Sequence, residues 1–519
     1  MFNISIFRTE SFRKGIALST ILNVFAKGLT FCNTVLIAFF FGTSLETDVY
    51  FFIISIITSI SLFITGSTQS VIIPEMIHLR ENGHEDEVIK ITNLILFAFV
   101  LITIIPVVLF CIAPVQVFSR ISQFKDGTIF EYRFFFSFST VLLILITVNT
   151  FLKEVLSIYR FFTIPMIISI VNSIFSFVSI PLLQSYIGMK SVIIGLFMGN
   201  FVNAVILVWT LRKNGGWRFT AITFRLPRSL LNRIFYAQTG YTATAASMFF
   251  PPYLLSGLNA GVIAAFNFGR QISDIPGNFL TAQFATVTGI KFNELMARNQ
   301  LSEVDTTFRK SLSFLFSILC PFCGIIFIYS NEIVDILFGR GAFSAASTST
   351  AASFCRLFIL SAPLIALDYL SARILIAAKK IKQSFWYQLG SNLFNIILMI
   401  LLFPGLGGKA IPVTLLVSYS LNIIAQAIMF RFLCPWVNYT KALAESLIVL
   451  ILNVTIASGI IILVIWMEKY GCIPVYRLAI GSTLYLLIIY FSNLFFNFNA
   501  DLQNIIRNLN LKIRSVLNF

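Results

Sequence analysis

Long apolar runs separated by short polar breaks set the pattern of this chain. A helix needs about 20 apolar residues to cross roughly 30 Å of hydrocarbon. Fourteen stretches meet or approach that length: 16–41, 48–73, 90–116, 134–152, 162–183, 189–211, 234–256, 260–290, 311–331, 347–378, 384–404, 410–432, 441–467 and 476–497. Those at 134–152 and 234–256 hold the most polar residues. The runs are continuous rather than alternating and too long for barrel strands, which argues against a β-barrel. The expected fold is an all-α polytopic membrane protein. The basic start MFNISIFRTESFRKG leads into an apolar run longer than a signal h-region, with no small-residue cleavage site after it. It is expected to stay as the first helix.

Composition agrees. Of 519 residues, 58% are hydrophobic, 57 are Phe and only 11% are charged, against roughly 25% charged in a soluble domain. So few charges cannot cover one large soluble enzyme, and disorder needs low hydrophobicity. The net charge is +16. In a soluble protein that would suggest nucleic acid; here the distribution decides, and no nucleic-acid partner is expected. With the N-terminus in the cytoplasm, cytoplasmic segments hold 25 Lys and Arg and the opposite loops hold eight. This asymmetry predicts an even number of crossings and cytoplasmic N- and C-termini. The stretch 212–233 has six cations and no acid, and reads as a topology determinant beside anionic lipid. Only Lys27, Arg270, Arg356 and Arg373 fall inside the spans.

An internal repeat gives the domain plan. Asn172 and Pro181 are nine apart, and Lys190, Asn203 and Arg212 follow at separations of thirteen and nine. Asn395 and Pro404 are again nine apart, and Lys409, Asn422 and Arg431 repeat the thirteen and nine. Six helices separate the copies, so they run in the same direction, as in transporters that bind substrate between parallel halves. The expected organisation is an N-lobe at 1–233, a C-lobe at 234–433, and two further helices with a cytoplasmic tail at 434–519.

Charges inside a membrane cost on the order of 3 kcal/mol and usually face a cavity or each other. The first segment places Thr20, Asn23, Lys27, Thr30 and Thr34 on one helical face. The eighth places Asn267, Arg270, Asp274, Asn278 and Thr281 on another. A Lys stripe and an Arg stripe on a common cavity would suit an anionic headgroup, because Arg can hold phosphate bidentately. Alternatively, Arg270 and Asp274, at i and i+4, neutralise each other. Asp48 opens the second segment; it can serve that helix start through the dipole or pair with Lys27. Arg356, Asp368 and Arg373 of the tenth segment either line a secondary cavity or, for Arg373, reach the cytoplasmic face. Gly66, followed by Ser67, Thr68 and Gln69, marks a bend that would let the second helix flex.

Enzyme chemistry is not expected. The run GLGGKA at 405–410 lacks the phosphate-loop spacing and hydroxyl, and no polar stretch is long enough for a nucleotide-hydrolysing domain. Cys320 and Cys323 form a C-x-x-C inside an apolar helix and read as a buried pair rather than a metal or redox site. His78 and His84 lie in the acidic loop HLRENGHEDE. No metal or cofactor is expected.

The residues resemble a known family. LFGRGAFSAASTSTAA at 337–352 is similar to the loop between helices 9 and 10 of the MurJ (MviN) lipid II flippases. FGTSLETDVYFF at 41–52, GSTQSVIIPEM at 66–76, RFFTIPMIISIVN at 160–172 and FGRQISDIP at 268–276 resemble family segments in the same order. The resemblance implies the fold of the superfamily that also holds Wzx-type polysaccharide flippases and MATE exporters, without enzyme activity. It implies alternating access that moves an undecaprenyl-pyrophosphate-linked saccharide, lipid II foremost, from the inner to the outer leaflet of the bacterial cytoplasmic membrane. Helices 13 and 14 would form a groove for the lipid tail, and cell-envelope synthesis proteins would be possible partners. By position the family's helix 8 Arg falls on Arg270, its nearby acid on or near Asp274, and the acid opening helix 2 on Asp48. The family's helix 1 pattern is altered: one Arg becomes Lys27, the next Asn33, and its Asp becomes Thr34. The helix 2 Arg pair falls near Ile60 and Ser61 and is lost. A less cationic cavity would also suit a flippase for another polyprenyl-linked glycan. A MATE-type exporter would want an uncompensated acid in the membrane.

Overall fold

The computed structural model describes residues 12–159, 161, 163–220 and 226–496. Residues 1–11 and 497–519, with Arg8 and the tail cations, lie outside the described residues, as do Arg160 and Arg225. No strand occurs among the described residues.

The chain divides into two compact units. One comprises Met1–Ala264 with Arg340–Ser344, the other Ala265–Gly339 with Ala345–Phe519. The first unit holds α1 (Phe12–Phe41), α2 (Leu45–Thr65), α3 (Ile73–Glu81), α4 (Glu85–Ile112), α5 (Pro114–Ile121), α6 (Asp126–Glu131), α7 (Arg133–Thr140), α8 (Leu142–Ile158), α9 (Ile164–Ile187), α10 (Lys190–Gly215) and α11 (Arg228–Leu255). There follow α12 (Val262–Pro276), which starts within the first unit's range, α13 (Ala282–Ala297), α14 (Leu301–Ile328), α15 (Ser330–Phe338), α16 (Ala345–Ile359), α17 (Ala362–Ala377), α18 (Ile381–Leu406), α19 (Ala410–Leu433), α20 (Tyr439–Lys469) and α21 (Pro474–Phe496).

Among the described residues, every expected segment falls mainly on helix. Eleven stretches among the described residues are long and apolar enough to cross a membrane, and one of them, Lys382–Leu433, folds as the two helices α18 and α19. The expected spans at 234–256 and 260–290 are helical but too polar to meet the same measure. Lys153, one of the 25 cations counted in the cytoplasmic segments between the apolar runs, lies inside α8, which continues to Ile158.

The repeated hairpins share their turn geometry. Gly188 ends α9 at φ 59°, ψ −139°, and Gly407 ends α18 at φ 54°, ψ −139°. Both conformations favour glycine, which has no Cβ to clash. Polar side chains zip each hairpin. Asn200 Nδ2 donates to Asn172 Oδ1 at 3.2 Å, and Asn149 Nδ2 of α8 ties that hairpin to its neighbour by donating to the Asn200 carbonyl at 2.8 Å. In the other hairpin Asn422 Nδ2 donates to Ser391 Oγ at 2.8 Å and Asn395 Nδ2 to Ser418 Oγ at 3.2 Å. Such bonds join helices where lipid offers no hydrophobic contrast.

Two π-turns occur among the described residues, at Thr68–Ile72 between α2 and α3 and at Gly277–Thr281 between α12 and α13. The first sits where the bend at Gly66–Gln69 is expected. Gly66 is buried against the Tyr241 ring of α11, so any side chain there would clash. Aromatic side chains fill the first unit's core: Phe136 lies 4.3 Å from Phe118 and 6.5 Å from Phe52, centroid to centroid. In the second unit Phe430 stacks on Tyr439 at 4.9 Å. Arg477 of α21 pairs with Glu332 of α15 at 3.8 Å and Glu468 of α20 at 3.3 Å, tying the last two helices down.

Candidate functional site

Two carboxylates in the first turn of α2 each hold the start of another helix. Ser44 caps α2 by accepting from Thr47 N at 3.3 Å. Glu46 Oε1 accepts from Met189 N at 3.2 Å, just before α10. Asp48, only 2% exposed, accepts from Gly261 N through Oδ2 at 2.6 Å and from Ala264 N through Oδ1 at 2.7 Å. A helix start presents unpaired N–H groups and the positive end of its dipole, and a carboxylate satisfies both. Asp48 thus serves a helix start, but that of α12 rather than its own, and both its oxygens are engaged. Beside it the 340–344 loop docks on the end of α1. Ala342 N donates to the Phe39 carbonyl at 2.8 Å, and a Cβ at Gly341 or Gly42 would strike the facing backbone. The family-like sequences at 41–52 and 337–352 therefore meet within the first unit.

On α1, Asn23 and Lys27 are half-buried. Thr34, 7% exposed, turns its hydroxyl to the Thr30 carbonyl at 3.3 Å. Thr30 Oγ1 lies 3.1 Å from Ser173 Oγ, and Asn33 Nδ2 donates to the Ser173 carbonyl at 3.0 Å, so this face of α1 packs on α9.

On α12, Arg270 Nε lies 3.5 Å from Asp274 Oδ2, and the two side chains are 47% and 51% exposed. The guanidinium also lies 5.9 Å from the centre of the Phe358 ring. The i, i+4 pair therefore forms, yet both members stay open. Asn267 is half-buried and Asn278 exposed, whereas Thr281 is 1% exposed. The expected polar face thus runs to Asn278 and stops there, because the π-turn adds a residue and turns Thr281 inward.

The tenth segment is split as α16 and α17. Arg356 Nε donates to Ser330 Oγ at 2.5 Å. Arg373 lays its aliphatic stem over Gly289, where its Cδ would stand 3.0 Å from an added Cβ. Asp368 accepts from Tyr387 and Gln426. Sequence reading missed Glu46, Tyr387 and Gln426. The polar residues of α18 and α19 were visible, but their convergence on Asp368 was not. In the basic stretch Arg218 pairs with Asp86 at 3.2 Å and Arg233 with Glu75 at 2.7 Å. Among the described residues no cluster of three His, Cys, Asp or Glu could hold a metal ion.

A family model described as lipid II flippase MurJ matches residues 37–480. A probable lipid II flippase MurJ of Borreliella burgdorferi is 21% identical over 451 residues, covering 86% of this chain and 88% of the relative. A probable MurJ of Aquifex aeolicus is 23% identical, covering 85% and 87%. Among solved structures, a lipid II flippase MurJ in an inward closed conformation superposes with a TM-score of 0.78 at 17% identity, over 93% of this chain and 99% of that one. An inward-facing multidrug resistance MATE transporter of the MOP superfamily follows at 0.64 and 11% identity, over 80% and 98%.

Proposed function

The chain belongs to the MurJ family of lipid II flippases, and from that premise we propose that it moves lipid II across the membrane. The family match over residues 37–480 carries this reading. The movement runs from the inner to the outer leaflet of the bacterial cytoplasmic membrane, by alternating access, with both termini in the cytoplasm. The work is transport rather than catalysis. Lys27 on α1 is a phosphate ligand with Asn23 and Thr34 as polar lining beside it, and Arg270 on α12 is a phosphate ligand with Asn267 and Asn278 beside it. Arg270 suits the part: it stays about half exposed although it has a carboxylate beside it. Asp274 tunes it by competing with the incoming anion. Asp48 acts through backbone amides rather than on substrate, Gly66 and Arg373 act by packing, and Arg356 acts through its bond to Ser330. The C-terminal pair α20 and α21 offers the lipid tail an apolar surface, with Ile451, Val454, Ile462 and Ile465 exposed along α20.

Complementation tests the proposal. The full chain should restore growth and lipid II translocation to a bacterium depleted of its own lipid II flippase. A well-folded, membrane-inserted chain that fails to rescue would reject lipid II as substrate and favour another polyprenyl-linked glycan.

A further inference from the structure

Arg270 is a long, half-exposed side chain, and a guanidinium that swings freely must be immobilised each time an anion binds, at a cost in entropy. Two contacts hold it in advance. The first comes from its own helix: Arg270 meets Asp274 through Nε at 3.5 Å. That contact has a drawback, because a carboxylate takes up N–H donors and competes with an incoming phosphate. The second comes from α16. The guanidinium carbon lies 5.9 Å from the centre of the Phe358 ring, within the distance at which an aromatic face attracts a cation. A ring uses none of the N–H groups and carries no net charge to repel the anion.

The surrounding residues fix that ring. Gly269, immediately before Arg270, is buried; a Cβ there would strike the Ala351 carbonyl and stand 3.0 Å from Cys355 N. Glycine at this position lets the backbones of α12 and α16 touch, as small residues do where helices cross closely in membranes. One turn before Arg270, Phe266 of α12 meets two rings of α16 edge-on. Its centroid lies 5.6 Å from that of Phe354 at 79°, and 5.2 Å from that of Phe358 at 71°. This is a favoured arrangement for aromatic pairs. Phe354 and Phe358 are themselves one turn apart, so Phe266 wedges between them. All three rings are buried, with Phe358 only 5% exposed. A rigid, buried ring therefore lies beside an open cation, and α12 carries both the cation and the wedge that sets the ring.

We propose that Phe358 is a positioning residue for Arg270: its ring holds the guanidinium in place while leaving the N–H groups to the diphosphate of the lipid-linked substrate. The ligand half of this proposal rests on the flippase reading; the contact between ring and guanidinium does not. Asp274 and Phe358 then divide the work. The carboxylate restrains Arg270 from along α12 and yields to phosphate, and the ring restrains it from α16 and does not need to yield.

Fluorination separates the electrostatics of the ring from its packing, because fluorine drains the negative face and changes the shape little. The purified full chain is titrated with undecaprenyl pyrophosphate in detergent. Trifluorinated phenylalanine in place of Phe358 should weaken binding by about two- to fivefold, as expected for one cation–ring contact, with the melting temperature unchanged. Phe358→Leu should weaken binding at least as much. Unchanged affinity in both overturns the positioning role. A second measurement needs no ligand. With para-fluorophenylalanine at position 358, the fluorine NMR signal should shift when Arg270→Gln removes the cation; a signal that stays put overturns the contact. Wild type that does not bind undecaprenyl pyrophosphate, while the fluorine signal still answers to Arg270→Gln, would instead overturn the flippase reading of Arg270.

Discussion

Asp48 gives the most direct test of how the first unit is held together. Its carboxylate accepts two backbone N–H groups, at 2.6 and 2.7 Å, from residues more than 200 positions away in sequence. Hydrogen bonds to a charged group contribute about 1.5–3 kcal/mol each. Asp48→Ala leaves both N–H groups buried and unpaired, so the expected loss is about 3–6 kcal/mol. Asp48→Asn keeps one acceptor but turns an NH₂ toward an N–H, for an expected loss of about 2–4 kcal/mol. Glu46→Gln is the internal control. Its one bond, at 3.2 Å, belongs to a half-buried side chain, so the loss should be about 1 kcal/mol or less. The assay is thermal melting of the three variants in one detergent, with protease cleavage in the 256–261 connection as a local readout. The expected order of loss is Asp48→Ala, Asp48→Asn, Glu46→Gln. An Asp48→Ala protein that melts with wild type and resists cleavage equally would refute the capping argument.

Arg270→Ala should abolish lipid II translocation while melting within a few degrees of wild type, because its pair with Asp274 is half exposed and contributes little to stability; a fully active variant removes the phosphate-ligand role. Gly66→Val should prevent stable insertion, since a Cβ there meets the Tyr241 ring, and a normally folded variant would show that α11 can move away without loss. Thiol labelling checks the topology. Cys472 is exposed and should react with a membrane-impermeant maleimide from outside the cell. Cys434 lies on the opposite side and should not react, its thiol being buried and pushed up to about 11, with Lys380 pulling weakly the other way. Labelling at Cys434 alone would invert the expected orientation.

The legible part of the fold was the part set by local pattern. Apolar length gave the helices, and cation asymmetry gave an orientation. The spacing of Asn172, Pro181, Lys190 and Asn203 against Asn395, Pro404, Lys409 and Asn422 marked hairpins whose glycine turns share one geometry. The illegible part depended on distance. Nothing near Asp48 in sequence tells that its partners are Gly261 and Ala264. Asp368 was visible as an intramembrane acid, but Tyr387, Gln426 and Tyr439 converge on it from three other helices. The stripe on the eighth segment was drawn with uniform helical periodicity, and the π-turn at Gly277–Thr281 breaks that assumption.

A π-turn holds one residue more than an α-turn, so each acts as an indel stored inside a continuous helix. Removing one residue from Thr68–Ile72 would restore regular bonding and rotate Ile73–Glu81 by about 100°. Glu75 would swing away from Arg233, with which it now pairs at 2.7 Å, and Met76, 0% exposed, would leave the core. Side-chain replacements at solvent- or lipid-facing positions of these turns should be borne easily, while one-codon deletions should not. Length, more than residue identity, is the property that these two turns protect.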